Sequence, residues 1–151
     1  MNRQKVFVDS NRRAIAKAPL LAAIVALAGL ADAIYLTVKH YTAEPVPCSI
    51  VSGCEQVLTS SYAEMFGVPT AAFGIAAYLL AFLLAILAAF GKKQMWTLFG
   101  ALVVVMAIFT GWLIYLQGYV IGAFCQFCLI SAATTFTLLI IYLVSALVRS
   151  K

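Results

Sequence analysis

Four long apolar runs divide this chain, at about Pro19 to Val38, Pro69 to Phe90, Met95 to Gln117 and Cys125 to Val148. As an α-helix, each would cover roughly 30 Å, the thickness of a bilayer's hydrocarbon core. Four such runs in 151 residues leave room for short loops and for no separate soluble domain, so any soluble partner is another chain. Hydrophobic residues make up 65% of the chain and charged residues 10%, with a mean hydropathy of +1.05, far outside the soluble average. The expected fold is an all-α integral membrane protein, a four-transmembrane-helix bundle. Residues 1–18 form a tail, 19–148 the membrane domain with an outer loop at 39–68, and 149–151 a second tail.

Basic residues set the orientation. Arg3, Lys5, Arg12, Arg13 and Lys17 precede the first run, Lys92 and Lys93 lie between the second and third, and Arg149 and Lys151 follow the fourth. All three groups fall on one face of an even-numbered topology, the cytoplasmic one by the positive-inside rule. The net charge of +5 is therefore topological. No basic stripe interleaved with aromatics and no Gly-rich phosphate loop points to nucleic acid or nucleotides. A cleavable signal would fit the basic start and "ADA", but the apolar run continues through "IYLTV" to spanning length.

With this topology all four cysteines face the outer, oxidising side, where disulfides persist. Cys48 and Cys54 lie in the first outer loop, and Cys125 and Cys128 open the last run as "CQFC". Their spacing reads as two dithiols. Ser52 and Glu55 stand three apart in a capping-box pattern, so a short helix is expected with Cys54 in its first turn, where the helix dipole favours a thiolate. Val57, Leu58, Tyr62 and Phe66 recur at about helical spacing, giving that half-helix an apolar face and the role of a lid. Pro45, Pro47, Ser52 and Gly53 leave Cys48 on a less regular segment.

After Gly118 and Gly122 mark the turn, Cys125 is expected near water and Cys128 one turn deeper, about 4.5 Å along the axis. An outer thiol in reach of the loop and an inner thiol in reach of the membrane suggest a relay. Electrons enter at Cys48 and Cys54 from a soluble dithiol, pass through a Cys54–Cys125 mixed disulfide, and leave from Cys128. A two-electron carrier dissolved in a bilayer is a quinone, and its ring needs an apolar slot with a few polar groups. Leu58, Phe66, Thr70 and Phe73 are candidate lining residues by position, each with an anchoring or packing role as the alternative.

The loop cysteine pair, "CEQVLTSSYAEMFGVP", the "FG" at Phe73–Gly74 and "CQFC" together resemble the vitamin K epoxide reductase family, in particular its compact bacterial homologues, from about Leu30 to Thr135. The resemblance implies a four-helix bundle around a quinone, ubiquinone or menaquinone, with the half-helix covering the pocket. It makes Cys48 and Cys54 the shuttle pair, Cys125 the thiol that exchanges with the loop, and Cys128 the thiol that meets the quinone. Ser60 matches the family's loop Ser/Thr near the redox cysteines, Tyr62 stands where vertebrate members carry tryptophan, and Phe66 matches their phenylalanine. Ala132 and Thr70 depart from a vertebrate tyrosine and asparagine that help hold the naphthoquinone, so epoxide reduction does not carry over with the rest. Many bacterial members have a fused thioredoxin-like domain; here a thioredoxin-fold partner is expected in trans, reoxidised at the outer face of a bacterial cytoplasmic membrane to support disulfide formation.

Three other readings stand beside this one: vitamin K quinone or epoxide reduction, a non-enzymatic tetraspan protein with structural disulfides, and a four-thiolate zinc site. An exposed zinc ribbon would want a second CxxC, and the ligands face an oxidising side, so no metal is expected. Asp32, near the outer end of the first run, is read as a hydrogen-bond partner to the bundle or an interfacial residue before a proton donor. His40 is expected to be solvated, and Ser131, Thr134 and Thr135 to serve close helix packing. Trp96 and Trp112 suit interface or packing roles.

Overall fold

The computed structural model describes the backbone of residues 3–150 and the side chains of residues 17–150. The described residues form five α-helices: α1 (Arg3–Thr42), α2 (Cys54–Leu58), α3 (Thr70–Ala89), α4 (Lys93–Tyr115) and α5 (Gln126–Ser150). A π-helical turn, Leu116–Ile121, prolongs α4, and a hairpin of β1 (Glu64–Met65) and β2 (Val68–Pro69) separates α2 from α3. Among the described residues four stretches are long and apolar enough to span a membrane, Lys17–Thr42, Thr70–Ala89, Lys93–Ile121 and Gln126–Ser150. This is the expected four-helix membrane bundle, with a half-helix in the loop between its first and second spans.

Helix α1 begins well before the expected span and carries Pro19 inside it. Its upstream segment is rich in Ala, Arg and Lys, which favour helix. Arg3, Lys5, Arg12, Arg13 and Lys151, part of the orientation argument, have side chains outside the described residues.

In lipid there is no apolar contrast to drive helices together, so close approach of small residues does it. Helix α1 packs against α3 and α5, and α4 closes the ring against α3 and α5. Ala22 and Ala26 of α1 and Ala81 and Ala85 of α3 are completely buried in that core. Gly29 leaves room for the Tyr78 ring, into which any Cβ there would run. At the end of the bundle away from the cysteines, Trp96 stacks on Phe99 with centroids 4.7 Å apart, and its Nε1–H donates to Ser145 Oγ at 3.1 Å. That packing role agrees with the sequence reading of Trp96.

The lid differs from expectation in length and shape. Helix α2 stops at Leu58 because the next hydroxyls turn back onto it: Thr59 Oγ1 donates to Glu55 O and Ser60 Oγ to Val57 O, each at 2.7 Å. The apolar periodicity through Tyr62 and Phe66 therefore does not continue as helix. The chain enters the hairpin instead, with Phe66 (φ 57°) and Gly67 (φ 77°) at its two-residue tip. The Ser52–Glu55 capping box is also unformed: Gly53 caps α2 without a side-chain hydrogen bond.

Candidate active site

The site is built on the start of α5. Cys125 is its N-cap: the Cys125 carbonyl accepts the Leu129 N–H at 3.0 Å, and the Cys125 sulfur accepts the Cys128 N–H at 3.4 Å. The Gln126 N–H, also free of partners within the helix, donates to Cys54 Sγ at 3.3 Å. Two sulfurs from distant parts of the sequence thus share the N–H groups that a helix leaves unpaired at its first turn. Such an end favours negative charge on sulfur. The Cys125 thiol is held below its ordinary pKa, first by the hydrogen bond from the Cys128 side chain, with the Cys128 and Phe127 N–H groups adding to it and burial opposing it.

Cys54 and Cys125 are 1% and 0% exposed and pack with Val57 and Ala123 in one cluster, against which Cys48 and Cys128 also lie. Cys125 is therefore not near water, as its sequence position suggests; the loop covers it. Cys48 and Cys54 are joined in a disulfide with Cα atoms 6.3 Å apart, while Cys125 and Cys128 are free thiols. Such close docking depends on Gly53, where a Cβ would fall 2.8 Å from the Phe124 carbonyl oxygen. The Ile50 N–H donates to Gln126 Oε1 at 3.1 Å and clips the loop to α5. Among the described residues no group of three His, Cys, Asp or Glu side chains could hold a metal ion.

Gln117, which the sequence reading passed over, organises the approach to Cys125. It lies in the π-helical turn, 4% exposed, and its Oε1 accepts the Cys125 N–H at 3.0 Å while its backbone carbonyl accepts the Ala123 N–H at 3.0 Å. A π-turn often marks a functional site, and here it turns a polar side chain inward at a depth where a regular helix would present an apolar one. A glutamine closing an otherwise apolar run is the signal the sequence offered.

Beneath α2 lies a cavity of about 310 Å³, open in part and lined mainly by apolar side chains. Cys128 lines it, as do Leu58, Ser60, Thr70 and Phe73. Of these, Ser60 and Thr70 spend their hydroxyl protons on lid carbonyls, Thr70 Oγ1 donating to Tyr62 O at 3.3 Å. Phe66 requires a correction. It is 96% exposed at the hairpin tip and is not part of the lining, because the turn points it away from the bundle. His40 lines the cavity mouth and pairs with Glu64 Oε1 at 2.9 Å, tying the hairpin to α1, where solvation alone was expected.

The family model for the vitamin K epoxide reductase family matches residues 20–143. The chain belongs to that family. Members of that family are membrane oxidoreductases that work through cysteines and quinones, and this chain, with its apolar spanning helices and Cys48–Cys54 disulfide, is a membrane oxidoreductase of that kind. Ala132 and Thr70, the two departures noted in the sequence, both line the cavity, Ala132 with only a methyl group. Asp32 keeps its Oδ2 buried with no hydrogen-bond partner among the described residues, so the expected hydrogen bond from that oxygen to the bundle is not formed.

Proposed function

We propose that this chain is a membrane thiol:quinone oxidoreductase that supports disulfide formation. The single observation behind this reading is the seat of Cys54 on the first turn of α5, 3.3 Å from the Gln126 nitrogen and in the same buried cluster as Cys125. That contact brings the loop pair into exchange range of the CxxC pair, and Cys128 fronts the cavity.

The chemistry balances in three exchanges and one reduction. A partner dithiol of thioredoxin fold, supplied in trans, reduces the Cys48–Cys54 disulfide and becomes a disulfide itself. The Cys54 thiolate attacks Cys125 Sγ of the Cys125–Cys128 disulfide, releasing the Cys128 thiolate. Cys48 then attacks Cys54, restoring the loop disulfide and freeing the Cys125 thiol. Finally the Cys125/Cys128 dithiol passes two electrons and two protons to a quinone, ubiquinone or menaquinone, and closes to a disulfide as the quinol leaves. Positioning is the protein's contribution: the helix start stabilises the attacking or leaving sulfur, and burial excludes competing thiols.

The orientation that fits has both termini in the cytoplasm and the cysteines outside a bacterial inner membrane, from the basic groups at the span ends. Vitamin K epoxide reduction is the weaker reading, because Ala132 brings no hydroxyl where the vertebrate enzymes have one.

The test is anaerobic turnover of the purified protein with a reduced thioredoxin-fold partner and a soluble quinone analogue, followed by quinone absorbance. Quinone loss that disappears in Cys54→Ser and in Cys128→Ala supports the reading. Absence of turnover, with both pairs locked as unreactive disulfides, sinks it in favour of a structural role.

A further inference from the structure

The deep end of the cavity is not apolar. Tyr78, in the ninth position of α3, is 2% exposed, yet its hydroxyl reaches α5 and meets four oxygens. These are the Ser131 carbonyl at 2.7 Å, Ser131 Oγ at 3.0 Å, Thr134 Oγ1 at 2.9 Å and Thr135 Oγ1 at 2.8 Å. Tyr78, Ser131 and Thr135 all line the cavity, together with Cys128. Ser131 follows Cys128 by three residues, so the cluster begins about one helical turn, some 4.5 Å, deeper in the membrane than the thiol.

The protons in this cluster can be counted. Thr134 Oγ1 has two backbone carbonyls in reach, Ser131 O at 2.7 Å and Ile130 O at 3.2 Å, so its proton is committed to the backbone. Among the described residues the Ser131 and Thr135 hydroxyls have Tyr78 Oη as their sole partner. Tyr78 has one proton and two lone pairs. When it donates to the Ser131 carbonyl, it accepts from Ser131 and Thr135, and every proton is used. When it donates to Ser131 Oγ instead, the Ser131 proton is released toward the cavity. A small turn of one O–H bond thus converts a closed network into a hydrogen-bond donor.

We propose that Ser131, with Tyr78 and Thr135 as the residues that position it, binds one carbonyl oxygen of the quinone and holds it while it becomes the quinol hydroxyl. The proposal rests on the quinone reading above and adds to it the subsite that the lid hydroxyls, committed to backbone carbonyls, do not supply. Electrons and protons still come from the Cys125/Cys128 dithiol, which is oxidised to the disulfide; the cluster gives and keeps nothing. Its contribution is a hydrogen bond that strengthens as the oxygen gains charge, in a medium without water to replace it. A purely structural staple between α3 and α5 is the competing role, since interhelical hydroxyl bonds also join membrane helices.

The experiment reads the quinone itself. A short-chain quinone, isotope-labelled at its carbonyl carbons, is bound to the full-length protein in lipid nanodiscs with both cysteine pairs oxidised, so that it stays unreduced, and its infrared carbonyl bands are recorded. One carbonyl band should lie below its position in empty nanodiscs in the wild type and in Thr135→Ser, and should return to that position in Ser131→Ala/Thr135→Val. The quinone KM should rise about tenfold in the double variant, the loss of one hydrogen bond, while exchange with a soluble dithiol stays at the wild-type rate. Unshifted bands in the wild type, or the same bands and KM in the variant, would overturn the subsite in favour of the staple. Should the double variant not fold, Ser131→Ala alone, which removes the donor and leaves Tyr78 and Thr135 in place, gives the same two readouts. A wild type that exchanges thiols but never reduces the quinone would mark failure of the quinone reading itself, and the subsite would fall with it.

Discussion

Cys54 Sγ rests 3.3 Å from the backbone nitrogen of Gln126, although 72 residues separate them. Because Gln126 follows Cys125 directly, this contact fixes where a mixed disulfide can form. Removing Cys48 leaves Cys54 without its loop partner beside Cys125. In Cys48→Ala, a Cys54–Cys125 bridge should therefore accumulate after mild oxidation, seen as a crosslinked peptide after proteolysis between them. Gly53→Ala tests the seat from the other side: the new methyl meets the Phe124 carbonyl, and neither neighbour is a flexible side chain. Displacing α2 by about 1 Å should slow bridge formation in that background on the order of tenfold to a hundredfold. Bridge formation at the parent rate would mean that the loop reaches Cys125 by a different path.

The pH dependence of Cys125 follows from its neighbours. The Cys128 side chain is the leading cause that holds the Cys125 thiol below its ordinary pKa. In the folded protein the thiolate therefore persists to lower pH than in an ordinary cysteine, and the midpoint lies on the acid side of the usual value near 8.5. In Cys128→Ala that support is gone while burial remains, so the midpoint must move to higher pH. Ultraviolet absorbance of the thiolate checks this, since the Cys48–Cys54 disulfide does not titrate. A midpoint that stays in place would assign the thiolate's stability to the helix end alone.

Much of this arrangement was legible because bilayer physics leaves few options. Four apolar runs dictated four helices, and the positions of Cys48, Cys54, Cys125 and Cys128 relative to those runs put all four at one end. The lid was misread beyond Leu58, since the periodicity of Tyr62 and Phe66 says nothing about Thr59 and Ser60 folding their hydroxyls back onto α2. Cys125 was expected near water because a linear sequence does not reveal that Gly53 lets the loop close over it. Tyr78 was hidden among apolar neighbours, and its importance appears only when Ser131, Thr134 and Thr135 arrive from another helix. The serine and threonines had been assigned to packing; pairing them with a tyrosine across the bundle is information that one helix face does not carry.

Gln117 offers a test of how the CxxC motif is held. Its Oε1 is the acceptor for the Cys125 N–H, and both groups are buried. Gln117→Leu fills a similar volume but leaves that N–H unpaired, at a cost of about 1–3 kcal/mol. Thermal unfolding in detergent should fall accordingly, and the Cys54 to Cys125 exchange should slow because the α5 start loses its anchor. Gln117→Glu restores an acceptor oxygen, and with it the exchange rate; full exchange in Gln117→Leu would show that Gly122 and the π-turn suffice.

Phe66 separates the expected lid from the observed one. A face of the half-helix that included Phe66 would press its ring onto a bound quinone, and its removal would raise the quinone KM. In the hairpin the ring is exposed and its backbone sits at φ 57°, a region costly for a residue with a Cβ and better suited to asparagine. Phe66→Asn should therefore leave the quinone KM unchanged and raise the unfolding midpoint slightly, by the equivalent of about 0.5–1 kcal/mol. Because Met65 and Val68 pair at the base of the tip while His40 ties the hairpin down from α1 through Glu64, the turn can change its residue without releasing the lid. A KM that rises severalfold would mean that the tip folds inward when quinone binds, which would put the original helical lid back in play.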